Sequence, residues 1–82
     1  FAQDMLGELA EETAHAEELR TTLQVLLDNN LNVAEASREL VMHYNTMRYR
    51  ITKLEKLIGP FTTDAHLRLH VAVALQVRKI QQ

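Results

Sequence analysis

The sequence predicts an all-α domain, a small helical bundle of about five helices. Glycine occurs only twice and proline once in 82 residues, which leaves little material for tight turns. Apolar residues make up 46% of the chain, enough for one packed core. No run of alternating β-branched residues indicates a strand. We therefore expect residues 1–82 to form a single domain.

Apolar residues recur at helical spacing in five segments. The strongest stripe runs from Leu19 to Leu27 with the i, i+4, i+7, i+8 spacing of one helix face. The last segment is apolar beyond one face, because Leu69, Val73 and Ile80 lie outside its main stripe. Such a helix either packs across the bundle or meets another chain. The predicted helices are 2–12, 14–29, 33–40, 44–58 and 65–80.

Residues that cap or stop helices define most of these boundaries. The sequence Asp28-Asn29-Asn30 is a poor helix interior and ends one segment, and Gly59-Pro60 ends another in the preferred order. Short polar side chains can accept hydrogen bonds from the first free N–H groups of a helix. The candidate N-caps are Thr13, Asn32 (with Glu35 in the capping-box position), His43 or Asn45, and Thr63 or Asp64.

The net charge of −2 conceals two halves of opposite sign. Residues 1–30 contain seven acidic residues and one basic residue, whereas residues 31–82 contain eight basic and four acidic residues. Contacts to nucleic acid phosphates need cations at the contact surface, and the net charge of the whole chain matters less. The basic half therefore suits a nucleic acid partner, and the alternative is two solvated faces without one.

Residues 32–58 place two helical patterns on either side of a tight break at Val41-Met42-His43. Ala36 and Ser37 are small, which allows two helices to cross closely. The second pattern carries a cluster of polar and basic residues near its start. This arrangement is typical of a helix-turn-helix whose second helix enters a DNA major groove.

The segment 44–58 separates into an apolar and a polar face when it is drawn as a helix. Its apolar stripe consists of Tyr44, Met47, Ile51, Leu54 and Ile58. Its polar face consists of Asn45, Tyr49, Thr52 and Lys56, flanked by Arg48 and Lys53. Amide, hydroxyl and guanidinium groups can donate hydrogen bonds to base edges and phosphates. The three methionines, Met5, Met42 and Met47, fall on apolar faces and are expected in the core.

A string of residues in this motif is similar to that of a known family. The string is His43-x-Asn45-Thr46-x-Arg48-Tyr49-Arg50, preceded by Asn32-Val33, Ala36, Arg38 and Leu40. It resembles the C-terminal DNA-binding domain of the PucR/CdaR family of bacterial transcription regulators. The likeness covers roughly residues 1–80, and a more distant one is to the Fis-type helix-turn-helix.

The resemblance implies sequence-specific binding of double-stranded DNA, with the helix at about 44–58 in the major groove. It also implies that the chain is the C-terminal part of a longer regulator with an effector-sensing portion upstream. Phe1 is not a natural translation start, which agrees with a fragment. Because one helix-turn-helix unit covers only a half-site, we expect a homodimer in the full-length protein.

Four residues depart from the pattern of the family, and two of them, Met42 and Met47, replace the more usual valine with little change of packing. Tyr44 stands where the family usually has a basic residue, which removes a phosphate contact. Val41 lies in the tight turn, where relatives of the motif often have glycine or a polar residue. If this position needs a positive φ, a β-branched residue is unfavourable there.

Eight residues are the candidate DNA contacts: His43, Tyr44, Asn45, Thr46, Arg48, Tyr49, Arg50 and Lys53. Arg48 is the first choice for a base contact, because arginine can grip guanine O6 and N7 together. The alternative for Arg48 is a surface ion pair with an acid such as Glu55. Tyr49 either packs on sugar-phosphate or a thymine methyl group, or covers neighbouring side chains.

The remaining candidates have structural alternatives of equal or greater weight. Asn45 and Thr46 either contact DNA or cap the helix, and His43 is a cap or a phosphate donor. Arg50 lies toward the core edge, where a structural salt bridge is favoured over a base contact. Lys53 suits a phosphate contact, as does Lys56, although either could be simply solvated.

Two rival functions belong to other classes. One is a helical protein–protein or dimerisation module that docks through the apolar last helix. The other is a small metal-dependent enzyme that would use His66 and His70, spaced i, i+4, although no third ligand is evident. We therefore expect no enzymatic activity, no metal and no cofactor.

Targeting features give one further expectation. Asp4 and Glu8 interrupt the apolar core that a signal peptide would need, and no segment approaches the ~20 apolar residues of a membrane span. Together with the resemblance to bacterial transcription regulators, this implies a cytoplasmic, nucleoid-associated bacterial protein without a membrane partner.

Overall fold

The computed structural model describes residues 6–81, and the side chains of residues 6–80, as a helical bundle. The elements in chain order are a 3-10 helix Gly7–Ala10, α1 Ala14–Asp28, α2 Val33–Glu39, α3 Tyr44–Ile58 and α4 Ala65–Gln81. The prediction of an all-α fold is confirmed, and α1 to α4 match the predicted segments closely. Among the described residues, no helix is both long and apolar enough to span a membrane.

The first predicted helix differs from the structure. Instead of an α-helix over 2–12, the described residues contain only the 3-10 helix Gly7–Ala10. Gly7 has a φ of +55°, and Glu11 is extended with φ −68° and ψ 153°, so neither continues an α-helix. Residues 1–5, including Met5, lie outside the described residues. Four α-helices are therefore seen in the described part of the bundle, against about five predicted.

Side-chain caps begin the four α-helices at the predicted positions. Thr13 Oγ1 accepts a hydrogen bond from Ala16 N–H (3.0 Å), and Asn32 Oδ1 accepts one from Glu35 N–H (3.0 Å). His43 Nδ1 accepts a hydrogen bond from Asn45 N–H (3.4 Å), and Asp64 Oδ1 accepts one from Leu67 N–H (3.0 Å). The capping box at Asn32 is half formed, because the Glu35 carboxylate pairs with Arg38. His43 and Asp64 are thus the caps where the sequence left two choices.

Helix α1 ends in a Schellman motif, in which two backbone N–H groups beyond the helix bond back to its last turn. Leu31 N–H donates to Leu26 O (2.9 Å), and Asn30 N–H donates to Leu27 O (3.1 Å). Asn30 has a φ of 55°, a conformation that asparagine tolerates better than most residues. The turn directs the chain from α1 into α2 within four residues.

Helix α1 is the centre of the bundle and packs against the 3-10 helix, α2, α3 and α4. Its Leu19, Leu23 and Leu26 are buried as predicted, and burial of each such side chain contributes about 1.5–3 kcal/mol. Met42 is half-buried at the edge of the core and not fully inside it. The other large buried side chains are Leu6, Leu9, Met47, Ile51, Leu54, Phe61, Val71 and Leu75.

Arg20 ties the N-terminal segment to α1. Its guanidinium donates hydrogen bonds to the backbone oxygens of Leu9 and of Glu11, the latter at 2.8 Å. Partial burial, and then the nearby charge of Arg78, lower the pKa of Arg20. Arg78 itself pairs with Glu12 at 3.1 Å. These contacts join the N-terminal segment to α1 and α4.

Candidate nucleic-acid interface

Helices α2 and α3 cross closely because the residues at their contact are small. Ala36 is fully buried and Ser37 nearly so, as the sequence predicted. The Ser37 hydroxyl donates to Val33 O at 2.7 Å, so no polar hydrogen is left unpaired at the crossing. Met47 of α3 is fully buried beneath them. This packing sets the angle at which α3 projects from the bundle.

Val41 occupies the position of greatest backbone strain in the turn between α2 and α3. Its φ is 52°, and its N–H donates to Arg38 O (3.2 Å) while Met42 N–H donates to Ser37 O (2.9 Å). The turn is therefore a second Schellman motif, with Val41 where glycine is usual. The side chain of Val41 is 95% exposed, so no packing offsets the strain.

The outward face of α3 presents polar and aromatic side chains to solvent. The exposed residues of α3 are Tyr44, Asn45, Thr46, Arg48, Tyr49, Thr52 and Lys56, and Lys53 is half-buried. Tyr49 is 69% exposed, in agreement with its predicted outward direction. Tyr44, predicted in the apolar stripe, is 45% exposed, because it begins the helix beside the turn and lines a shallow depression with Val41 and Arg38. The remaining stripe residues face inward.

Arg48 and Arg50 point in different directions from the same turn of α3. Arg50 Nη1 donates to Thr22 Oγ1 at 3.3 Å, and Arg50 Nη2 lies 3.7 Å from Glu18 Oε2. The structural salt bridge expected for Arg50 is therefore present. Within the described residues, no acidic side chain pairs with the exposed Arg48. The guanidinium of Arg48 is available to a ligand, whereas that of Arg50 is held against α1.

Glu55, the alternative partner for Arg48, is engaged elsewhere. Its Oε2 accepts a hydrogen bond from the Thr62 hydroxyl at 2.7 Å and lies 3.4 Å from Thr62 N–H. This contact ties the end of α3 to the turn that precedes α4. Because Glu55 is the only acid in α3, whose four basic residues are Arg48, Arg50, Lys53 and Lys56, the surface of α3 is locally positive.

Thr22 is a structural residue of the site that the sequence reasoning missed. It is only 1% exposed, although it is polar, and its hydroxyl donates to Glu18 O at 2.8 Å while accepting from Arg50. Its position three residues after Leu19, on the buried side of α1, was the available signal. A buried threonine on an apolar face needs a hydrogen-bond partner, and a nearby arginine could supply it.

The two rival functions rest on α4. The rings of His66 and His70 lie 5.5 Å apart, but the described residues contain no group of three potential metal ligands. The same helix exposes Leu69, Val73 and Ile80. The apolar surface predicted for a docking module is therefore present, on a different helix from the polar face of α3.

Comparisons with known proteins identify the family. The model of the PucR C-terminal helix-turn-helix domain matches residues 19–77, which include most of α1, all of α2 and α3, and most of α4. A purine catabolism regulatory protein of Bacillus subtilis (strain 168) is 30% identical over 80 residues, covering 98% of this chain and 15% of the relative. An uncharacterized protein of Thermomonospora curvata is 32% identical over 74 residues, covering 90% of this chain and 41% of the relative.

A second uncharacterized protein of Bacillus subtilis (strain 168) is 32% identical over 59 residues, covering 72% of this chain and 15% of the relative. No solved structure matches the chain significantly. The chain spans less than half the length of each of these relatives. The matched family segment includes both helices of the motif and most of the central helix that supports them. The chain therefore belongs to the PucR C-terminal helix-turn-helix family, DNA-binding domains that act in transcription regulation.

Proposed function

We propose that this domain binds operator DNA in a sequence-specific manner, with α3 as the recognition helix in the major groove. One observation carries the proposal: α3 exposes the consecutive residues Arg48 and Tyr49, while the next residue, Arg50, is held by α1. A surface that served only the fold would not need an arginine and a tyrosine directed into solvent. A recognition helix needs such exposed side chains, because hydrogen-bond donors and apolar groups that project from it read the edges of the bases.

Arg48 and Tyr49 are assigned to the bases and the adjacent backbone. The guanidinium of Arg48 can donate two hydrogen bonds to guanine O6 and N7, a contact that contributes about 1–3 kcal/mol of discrimination. Tyr49 packs against sugar-phosphate or a thymine methyl group. Arg50 is assigned as a positioning residue, because its hydrogen bond to Thr22 fixes the rotation of α3 on the bundle.

The residues around the start of α3 are assigned to the phosphate backbone. Asn45 and Thr46 are exposed in the first turn, where N–H groups and short polar side chains commonly meet phosphate. His43 caps the helix through Nδ1, so its Nε2 is directed elsewhere and can donate to a phosphate. Tyr44 offers a hydroxyl at the same end, and Lys53 supplies a cation about two turns further along.

At the level of the whole protein, we propose that the chain is the DNA-binding end of a longer bacterial regulator. The chain covers 15% of the purine catabolism regulatory protein, which leaves room in such a relative for a further domain. An effector-sensing portion upstream would then control how the domain engages its operator. The name of this relative, a purine catabolism regulatory protein, supports a role in the control of transcription.

The proposal is tested by an NMR titration of the 82-residue chain with mixed-sequence duplex DNA at low salt. We expect chemical shift changes at Asn45, Thr46, Arg48, Tyr49 and Lys53. Changes confined to α4, or none at low salt, would overturn the assignment of α3. Salt must be kept low because nonspecific binding weakens steeply as salt rises.

Entry into the major groove needs a separate test once a preferred sequence has been selected. Each guanine in that sequence is replaced in turn by 7-deazaguanine, which lacks the N7 acceptor in the major groove. We expect one replacement to weaken binding of the wild-type domain about tenfold but to leave binding of Arg48→Ala unchanged. Equal effects on both proteins would remove Arg48 from base recognition.

A further inference from the structure

The outward side of α4 carries a row of side chains that neither the core nor the proposed DNA surface uses. This row, here called the α4 seam, comprises His66, Leu69, Val73, Gln76 and Ile80. Its apolar members Leu69, Val73 and Ile80 are 58%, 44% and 83% exposed. The opposite side of the helix is buried against the bundle. Exposed leucine, valine and isoleucine on one line of a small domain indicate a contact surface.

The spacing of the α4 seam is that of two helices packed side by side. Its successive members are three, four, three and four residues apart, the repeat that keeps one line of side chains facing a partner helix. Val73 and Ile80 occupy one position of this repeat and Leu69 the other. β-branched residues at the first position with leucine at the second favour pairs of helices over larger assemblies.

The charges around the seam favour a second copy of the same chain as the partner. Helix α4 contains no acidic residue, and the seam contains no lysine or arginine. Arg68 donates to Phe61 O (2.9 Å) and Thr62 O (3.2 Å), and Arg78 pairs with Glu12, so both are directed back onto their own chain. The seam itself therefore brings no like charges together when two copies meet, and the exposed Lys79 lies beside it, next to Ile80. A highly charged partner would find no counter-charge on the seam.

A depression beside the seam gives a second surface for the same contact. Next to Leu69, the end of α1 and the start of α4 enclose a shallow cavity of 430 Å³ with Leu27, Leu31 and Ala72 in its lining. The small side chain of Ala72 lets another helix approach closely. An aliphatic side chain from the seam of a second copy can occupy this cavity. The contact then extends beyond a single line of residues.

We propose that two copies of this chain dimerise through the α4 seam, helix against helix, about a two-fold axis. Helix α4 packs on α1, so the contact leaves the exposed face of α3 uncovered. The domain measures 31 × 27 × 21 Å, so two copies of α3 would be separated by a distance on the scale of one domain. Half-sites one helical turn apart are about 34 Å from centre to centre, which such a separation can match. The match to the spacing of half-sites rests on the proposed function, but dimerisation itself does not.

Sedimentation equilibrium of the chain without DNA tests the proposal directly. We expect a concentration-dependent mass that rises toward twice the 9.4 kDa of the chain. Val73→Glu places a charge in the middle of the seam and is expected to weaken dimerisation about tenfold or more. Val41→Glu makes the same substitution at an exposed site outside the seam and is expected to leave the mass unchanged. Circular dichroism establishes that both variants are folded.

Two further variants test the register of the seam. Gln76→Leu replaces the one amide of the seam by leucine and is expected to tighten the dimer, because a polar residue at such a position lowers dimer stability. The chain has no cysteine, so Val73→Cys introduces a single thiol that is expected to give an oxidised covalent dimer, whereas Val41→Cys is not.

The proposal is overturned by a chain that stays monomeric at all accessible concentrations, or by a dimer that Val73→Glu leaves intact. A dimer that Gln76→Leu does not tighten would also overturn the seam as defined. Because all these measurements omit DNA, their outcome is independent of whether α3 binds an operator.

Discussion

Arg50 and Thr22 are joined by a hydrogen bond of 3.3 Å that links α3 to the central helix α1. Thr22 is buried, and its hydroxyl also donates to Glu18 O, so both functions of the hydroxyl are satisfied. Glu18 adds its carboxylate at 3.7 Å from the same guanidinium. The three residues hold α3 at one rotation about its axis, the rotation that directs Arg48 and Tyr49 into solvent.

This relationship predicts opposite effects for two arginines that are two residues apart. Arg50→Met keeps the apolar stem but loses the hydrogen bond to Thr22, so we expect the free energy of unfolding to fall by about 1 kcal/mol. For a domain of this size, that lowers the Tm by about 4–8 °C. Thermal unfolding followed by circular dichroism measures the change.

Arg48→Met is the matched control for that experiment. Because Arg48 is exposed and has no partner among the described residues, we expect its unfolding free energy to stay within about 0.5 kcal/mol of the wild type. Its affinity for a selected operator should fall about tenfold or more. If Arg48→Met were the destabilised variant, Arg48 would have to be the structural residue and Arg50 the DNA contact.

The turn at Val41 predicts a substitution that stabilises the domain. Val41 has a φ of 52° and is almost fully exposed, so Val41→Gly should relieve backbone strain without loss of packing. The αL conformation costs a non-glycine residue about 1–2 kcal/mol, part of which the freedom of glycine in the unfolded chain offsets. We expect a net gain of about 1 kcal/mol in urea unfolding.

Asn30→Gly serves as the control, because Asn30 occupies the equivalent position at the end of α1 with a φ of 55°. Asparagine already tolerates this conformation, so the gain from glycine should be smaller there. A loss of stability in Val41→Gly would contradict the assignment of strain to this turn.

Gly59 is predicted to be intolerant of a side chain. Its φ of 99° and ψ of 175° lie in a region open essentially only to glycine, and an added Cβ would lie 2.9 Å from Leu67 Cδ2. We expect Gly59→Ala to lower the free energy of unfolding by about 2–3 kcal/mol. Urea unfolding gives the value.

The comparison for Gly59→Ala is Gly7→Ala. Gly7 also has a positive φ, but no atom of the described residues lies within 4 Å of an added Cβ there. Gly7→Ala should therefore lower the free energy of unfolding only by the cost of placing alanine at a positive φ, about 1 kcal/mol. Equal losses at both sites would show that the contact with Leu67 has no role.

Lys53 is predicted to contact a phosphate, and salt dependence reports such contacts. Removal of one phosphate contact in Lys53→Ala should weaken binding on all sequences and reduce the slope of log K against log salt by about one unit. Lys79→Ala removes an exposed lysine of α4 and should leave the slope unchanged. An unaltered slope in Lys53→Ala would exclude Lys53 from the phosphate contacts.

The local features of the bundle could be predicted because neighbouring residues determine them. Thr13, Asn32 and His43 accept hydrogen bonds from N–H groups two or three residues ahead, so the cap and its helix lie in the same short segment. The inward stripe of α3, from Met47 to Leu54, follows from the helical period alone.

Other features could not be predicted because they depend on residues that are distant in sequence. The burial of Phe61 and the pairing of Arg50 with α1 arise where separate elements pack together. Tyr44 shares the helical phase of Met47 yet is exposed, because it begins α3 beside the exposed turn at Val41. A periodic pattern gives the direction of a side chain but not what lies opposite it.

The sequence by itself determined the all-α class, the four α-helices within the described residues, the helix-turn-helix and its family. Only the tertiary structure decided which polar groups of α3 are used inside the domain and which remain exposed. Arg48 and Arg50 are the same residue type in the same turn, and the sequence favoured a salt bridge for Arg50 without a partner. Their roles differ because Arg50, and not Arg48, contacts Thr22 and Glu18 of α1, which lie about 30 residues earlier in the chain. Hydrogen bonds and ion pairs of this kind require atoms that only folding brings together.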